Sequence, residues 1–253
     1  MSFRQYLDAP AEMKLDRSFW VAAAAVAVLR KAVNDPFRQE HRSRGEAKNL
    51  LNDLEGAAGE LAALKHFGGF TGSDLEVTHD ILSLHGPVDE VDFRIEEPDG
   101  ITLMEVKALL VESGKGLFLI NREAFGKSRR RGAQGYLPVL SSEGSGLALL
   151  GTLLTMDQVG KWREYDFGYG DPAVGVPLGQ LTQANFGRTE DEVRELLEGS
   201  RFGIARLEGD LDGVISDPVA ELGRLRRDSV SISPGQGYDS VVRFLAGICQ
   251  HGA

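Results

Sequence analysis

Residues 90–111 read EVDFRIEEPDGITLMEVKALLV, and this stretch decides how the chain folds. Val91, Phe93 and Ile95 alternate with Glu90, Asp92 and Arg94, the period of a strand with one buried face. Pro98-Asp99-Gly100 supplies a turn. Residues 101–111 are then almost continuously apolar, as expected of a central strand covered on both faces. Two charges, Glu105 and Lys107, interrupt that run; standing two residues apart, they project from the same face. Charges in a buried strand need partners, because an unpaired buried charge is costly. A hairpin at Pro98–Gly100 would bring Asp92 to Glu105, and these carboxylates with the Val106 carbonyl would form an all-oxygen set suited to Mg²⁺. Lys107 stands where it could position or deprotonate an attacking water.

Upstream the period is helical. Residues 17–33 hold only strong or tolerable helix formers, with a stop expected at Asn34-Asp35-Pro36. After a charged stretch at 38–48, Leu50, Leu51, Leu54, Ala57, Ala58, Leu61 and Leu64 recur at three- and four-residue steps, and Gly68-Gly69 ends the helix. Gly56 and Gly59 lie inside it, where each costs about 1 kcal/mol relative to alanine, so a neighbouring backbone is expected to approach closely. Residues 77–84 read as a first strand, with a turn at Gly86-Pro87.

Downstream, a turn at Gly114 and Gly116 leads to a short strand at 117–120, a basic helix at 122–133 and a strand at 136–140. Residues 147–156 suit a strand or a buried helix, and the glycine-rich 166–188 reads as loop. Thr189 and Glu192 form a capping box for a helix ending near Gly199. Later signals are a proline-capped helix at Asp217-Pro218, a strand at 229–233 and a last helix at 241–249.

The 253-residue chain is an ordinary globular mixture of 42% apolar and 26% charged residues. Its net charge of −10 excludes a general nucleic-acid coat, so any DNA or RNA contact must come from a local basic patch. A single cysteine, Cys249, excludes an intramolecular disulfide and a cysteine-rich zinc site, and points to a reducing, cytoplasmic setting. The longest apolar run, 19–29, is too short for a bilayer, so no membrane association is expected. Arg30 and Lys31 follow it where a signal cleavage region would be small and uncharged, so it reads as a buried helix.

Glu90-Val91-Asp92-Phe93 followed by Glu105-Val106-Lys107, with twelve residues between Asp92 and Glu105 and with Gly59-Glu60-Leu61-Ala62 on the preceding helix, resembles the PD-(D/E)-x-K nuclease superfamily. The likeness covers roughly residues 46–140 and is closest to the restriction-endonuclease-like and Holliday-junction-resolvase-like branches. It departs in having Val91 rather than proline before the aspartate; Asp89, a second candidate, is out of phase with Asp92. The resemblance implies an α/β fold: a restriction-endonuclease-like core of helix, mixed sheet of four or more strands, and helix, with an N-terminal helix and a C-terminal α+β extension. The segments would be an N-terminal extension (1–45), the nuclease core (46–150) and an extension of unassigned role (151–253).

The same resemblance implies a metal-dependent DNA endonuclease, acting in restriction or repair, that leaves a 5′ phosphate and a 3′ hydroxyl. Glu60, Asp92, Glu105 and Lys107 would be catalytic. Asp92, Glu105, the Val106 carbonyl and Glu60, directly or through water, would hold Mg²⁺, with Mn²⁺ able to substitute. Many such proteins act as homodimers, and the C-terminal extension offers a surface for a partner subunit.

Residues 122–131 carry Arg122, Lys127, Arg129, Arg130 and Arg131 against Glu123, a local +4 that is the obvious phosphate-facing patch. Gln134 and Tyr136 are expected to line the same groove. Gly126-Lys127-Ser128 is no P-loop, since Asn121 occupies the position of the required glycine. The five histidines show no metal-ligand spacing, and Trp20 and Trp162 read as packing residues. The alternative is a non-catalytic nuclease-fold subunit that binds DNA or scaffolds a larger assembly.

Overall fold

A computed structural model describes residues 3–38, 46–70, 76–78, 91–98, 100–112, 116–168 and 172–201. In chain order these form α1 (Phe3–Leu7), β1 (Ala11–Lys14), α2 (Arg17–Arg38), α3 (Glu46–Gly68), β2 (Glu76–Thr78), β3 (Phe93–Glu97), β4 (Gly100–Leu110), β5 (Leu117–Asn121), α4 (Arg122–Arg130), β6 (Gly135–Ser141), β7 (Leu147–Leu150), β8 (Leu154–Thr155), α5 (Met156–Val159), β9 (Arg163–Tyr165), β10 (Ala173–Pro177), α6 (Leu178–Leu181), a π-helical turn (Thr182–Phe186) and α7 (Glu190–Gly199). The fold is mixed α/β. Asp89, Gly86-Pro87, His79, His85, Cys249 and the elements expected beyond residue 201 lie outside the described residues.

The main sheet runs β1-β7-β6-β4-β3-β2, with β8 also pairing β6. β4 is central, antiparallel to β3 and parallel to β6. Parallel neighbours need a crossover, and β5 with α4 supplies it. Period-2 alternation divides the side chains of the sheet between two cores. Met104, Leu137, Val139, Ala148 and Leu150 join α2 and α3 on one face. Leu109, Tyr136, Leu140 and Leu149 join β5, β10 and α7 on the other. Pro138 sits in the middle of β6 because its side of the strand faces the break between β7 and β8, where its carbonyl accepts the Gly151 N–H at 2.9 Å.

Several expectations are corrected. α2 does not stop at Asn34-Asp35-Pro36 but runs to Arg38: Pro36 removes only a bond of the last turn, while burial from Phe19 to Leu29 holds the helix. β5 forms as expected but pairs with β10 in a separate three-stranded sheet, β5-β10-β9. The stretch 166–188, expected as loop, holds β10, α6 and the π-helical turn. Its valines, Val174 and Val176, are buried, while Gly175 lies where a Cβ would meet Leu119 Cδ2 at 2.4 Å. The ambiguous 147–156 resolves into β7 and β8. The N-terminal segment contributes more than a helix: β1 extends the sheet by pairing with β7. The α7 capping box forms as read, with Thr189 and Glu192 exchanging side-chain-to-backbone bonds. Among the described residues no helix is long and apolar enough to cross a membrane.

Candidate active site

β3 begins one residue after Asp92. Its register sets Phe93 opposite Met104, so one further step sets Asp92 opposite Glu105. Phe93 and Met104 turn into the core beneath α3, so Glu105, the next residue of β4, takes the other face. Beyond Phe93 the β3 backbone no longer meets β4. Val106 still points its N–H that way, and Asp92 Oδ2 accepts it at 2.7 Å. A side-chain carboxylate thus replaces the next backbone acceptor of the ladder, which holds Asp92 against the Glu105-Val106-Lys107 run. Glu105 is buried, and Lys107 is half-buried two residues along the same face. Among the described residues Lys107 makes no ion pair.

Glu60 comes from the helix side. Gly59 lets α3 touch β4, since a Cβ there would lie 2.4 Å from Ala108 Cβ. The close approach expected at Gly59 is therefore present. Gly56 has no such neighbour: the nearest atoms to its Cβ would be Arg30 Nη1 at 3.8 Å and Glu60 Oε1 at 3.9 Å. Glu60 is 7% exposed and is gripped by Arg30 of α2 through two parallel bonds, Nη1–Oε1 at 2.7 Å and Nη2–Oε2 at 2.5 Å. Such fork-to-fork pairing is the strongest form of this contact.

Carboxylates outnumber cations here. Burial, then the charges of Glu60 and Glu105, push the Asp92 carboxyl well above its ordinary range, against the opposing effect of the Val106 N–H. Burial works against the charged Arg30, but Glu60, Asp92 and Asp53 outweigh it and hold the guanidinium above its ordinary value. Tyr136 stands in register with Glu105 on β6. Burial, with the charges of Glu105 and Asp92, pushes its phenol up to about 12. The hydroxyl lies toward Ser128 of α4 without a well-formed hydrogen bond.

Among the described residues, no group of three His, Cys, Asp or Glu side chains is gathered to cage a metal ion. Two carboxylates and a carbonyl are what the strands offer, Val106 turning its C=O to the same edge as its N–H. That donor set fits a hard, hydrated ion such as Mg²⁺, which takes one or two carboxylates and keeps several waters. The burial and carboxylate repulsion that oppose ionisation of Asp92 are what such an ion would relieve.

The basic helix forms, capped by Asn121 Oδ1 accepting from Glu123 and Ala124 N–H. Its charges are not equivalent. Arg122 pairs with Glu164, and Lys127 with Glu123 at 2.8 Å. Arg129 and Arg130 are exposed and make no ion pair among the described residues. Ser128 packs inward, and Gln134 N–H reaches Leu103 O at 2.8 Å, so the chain after α4 borders β4 two residues before Glu105. Gln134 is exposed and its side chain donates to Ile101 O. Tyr136, expected on the groove, is 4% exposed and belongs to the site's interior. Trp20 packs as expected, its Nε1 donating to Ser145 O, and Trp162 lies edge-on to Phe118.

Arg30 and Asp53 were not singled out from the sequence. The available signal was a cation directly after a fully apolar helical run, which demands a buried anion. No family model, curated protein or solved structure matches this chain.

Proposed function

We propose that this chain is a Mg²⁺-dependent deoxyribonuclease built on a restriction-endonuclease-like core. The observation that carries the reading is the Asp92–Val106 bond, which sets the aspartate of one strand on the Glu-x-Lys run of the next. Supporting it is the order α3, β2 to β4, a crossover through α4, and β6 parallel to β4.

Asp92 and Glu105, with the Val106 carbonyl, would hold Mg²⁺ or Mn²⁺. When bound, such an ion polarises a phosphoryl oxygen and stabilises charge on a leaving 3′ oxygen. Lys107 orients the attacking water and offsets negative charge that develops on the phosphoryl group. Tyr136 stays protonated and closes the floor beneath Glu105. Arg129 and Arg130 take the DNA backbone at the border of the site, a local exception on a chain of net charge −10.

The test is incubation with supercoiled, linear, single-stranded and branched DNA in Mg²⁺ or Mn²⁺, with chelator controls. Cleavage that chelation stops and Mg²⁺ restores, leaving 5′ phosphates, supports the reading; cleavage indifferent to chelation contradicts it. The second reading, a non-catalytic DNA-binding or scaffolding subunit, draws support from the locked Glu60 and from the lack of a three-carboxylate cage among the described residues. DNA binding without metal binding or cleavage would favour it.

A further inference from the structure

We infer that Arg30 is a positioning residue that holds Glu60 out of the metal's inner ligand set, so that Asp92 and Glu105 are its direct carboxylate ligands. The inference rests on the nuclease reading for the ion itself; the arrangement of the arginine stands on its own geometry. Both Glu60 oxygens face the two terminal nitrogens of Arg30, at 2.7 and 2.5 Å. The pair is enclosed, with side-chain exposures of 17% for Arg30 and 9% for Glu60. Turning Glu60 toward an ion would strip a buried guanidinium of both charge-assisted bonds, and breaking one partner of such a pair is strongly unfavourable.

The backbone is arranged around this pair. Gly59 brings α3 against β4, so Glu60 begins close to the site. Arg30 also lies within the field of Asp53 and Asp92, so it faces three carboxylates rather than one. A fixed cation at that point does two things. It neutralises the helix-borne carboxylate, and it lowers the local demand for further metal charge. Glu60 then shapes the field at the site without binding the ion directly.

The experiment is calorimetric titration of Mn²⁺ into the full-length wild type and the Asp92→Asn, Arg30→Met and Arg30→Met/Glu60→Gln variants, with folding checked by circular dichroism. Asp92→Asn is expected to weaken Mn²⁺ binding by at least about tenfold. The double variant loses one positive and one negative charge, and its affinity should stay within about threefold of wild type. Folded Arg30→Met frees Glu60 and removes a competing cation, so it should bind Mn²⁺ about tenfold or more tightly. The double variant covers the case in which Arg30→Met, with its orphaned carboxylate, fails to fold. A double variant that loses Mn²⁺ as completely as Asp92→Asn would overturn the inference by making Glu60 a direct ligand, as would weaker binding by folded Arg30→Met. Absence of Mn²⁺ binding by the wild type is a different outcome, which removes the metal reading and this inference together.

Discussion

Asp92 accepts the Val106 N–H at 2.7 Å, a bond between a side chain one residue before β3 and the backbone between Glu105 and Lys107. It ties three properties together. It ends the β3–β4 ladder, it fixes the carboxyl of Asp92 beside that of Glu105, and it holds a titratable group where burial and two other carboxylates oppose its ionisation.

That opposition predicts a stability cost. A carboxyl raised above its unfolded pKa of about 3.9 binds its proton more tightly in the native state. Native stability is therefore diminished at pH values above the native pKa, and the deficit shrinks as pH falls through it. Asp92→Asn keeps an acceptor for Val106 and removes the charge. In metal-free buffer at pH 7 to 8 it should melt above wild type, each kcal/mol being worth about 2–4 °C for a chain of this size. Mg²⁺ should raise the melting temperature of wild type and leave that of the variant unmoved. Scanning fluorimetry with and without Mg²⁺ reads both; a lower melting temperature for Asp92→Asn would contradict the assignment.

His66 makes the opposite prediction at lower pH. Its ring is buried, stacks on Tyr6 at 4.3 Å, and has Nδ1 3.0 Å from the Tyr6 hydroxyl. Burial lowers its pKa to about 4. The unfolded chain, with a histidine pKa of about 6.5, takes up a proton first. The stability held with a neutral ring is complete above about pH 6.5 and falls by about 1.4 kcal/mol per unit as pH drops toward 4, about 3 kcal/mol in all. Urea unfolding of His66→Phe across this range should show that slope removed; an unchanged slope would place the titration elsewhere.

The two helix glycines should behave differently. Gly59→Ala places a methyl 2.4 Å from Ala108 Cβ, and such overpacking costs about 1–3 kcal/mol. It would also lift Glu60 away from the strands. Gly56→Ala meets only ordinary contacts and should gain up to about 1 kcal/mol of helix propensity. Equal effects in chemical denaturation would contradict the close α3–β4 contact.

On α4, Arg129→Ala and Arg130→Ala should each weaken DNA binding and lower the salt slope by about 1, measured with Ca²⁺ in place of Mg²⁺. Arg122→Ala and Lys127→Ala should matter less, because Glu164 and Glu123 already neutralise those charges. Four equal effects would mean that the ion pairs open on binding.

The legible parts of this fold were those written in local periodicity. The β3–β4 hairpin, the α3 stripe and the α7 capping box each depend on residues a few positions apart. The unread parts depend on distant partners. β5 looks like any short strand until β10 takes it into a second sheet, and β10 was hidden because glycines at 166–188 mark both loops and tight packing. β1, only four residues long, is a strand because β7 pairs with it. The same division holds at the site. Asp92, Glu105 and Lys107 were legible because charges broke an apolar pattern, whereas Arg30 became meaningful only when α2 crossed α3 at Glu60.

We propose that the Asp92–Glu105 pair is the metal-dependent centre of a DNA-cleaving enzyme. The most direct test is the single-turnover cleavage rate of Glu105→Ala beside wild type, on the substrate wild type cuts best, in Mg²⁺ and in Mn²⁺. A loss on the order of 10²- to 10³-fold or more is expected in either ion. Cleavage by Glu105→Ala at the wild-type rate would contradict it.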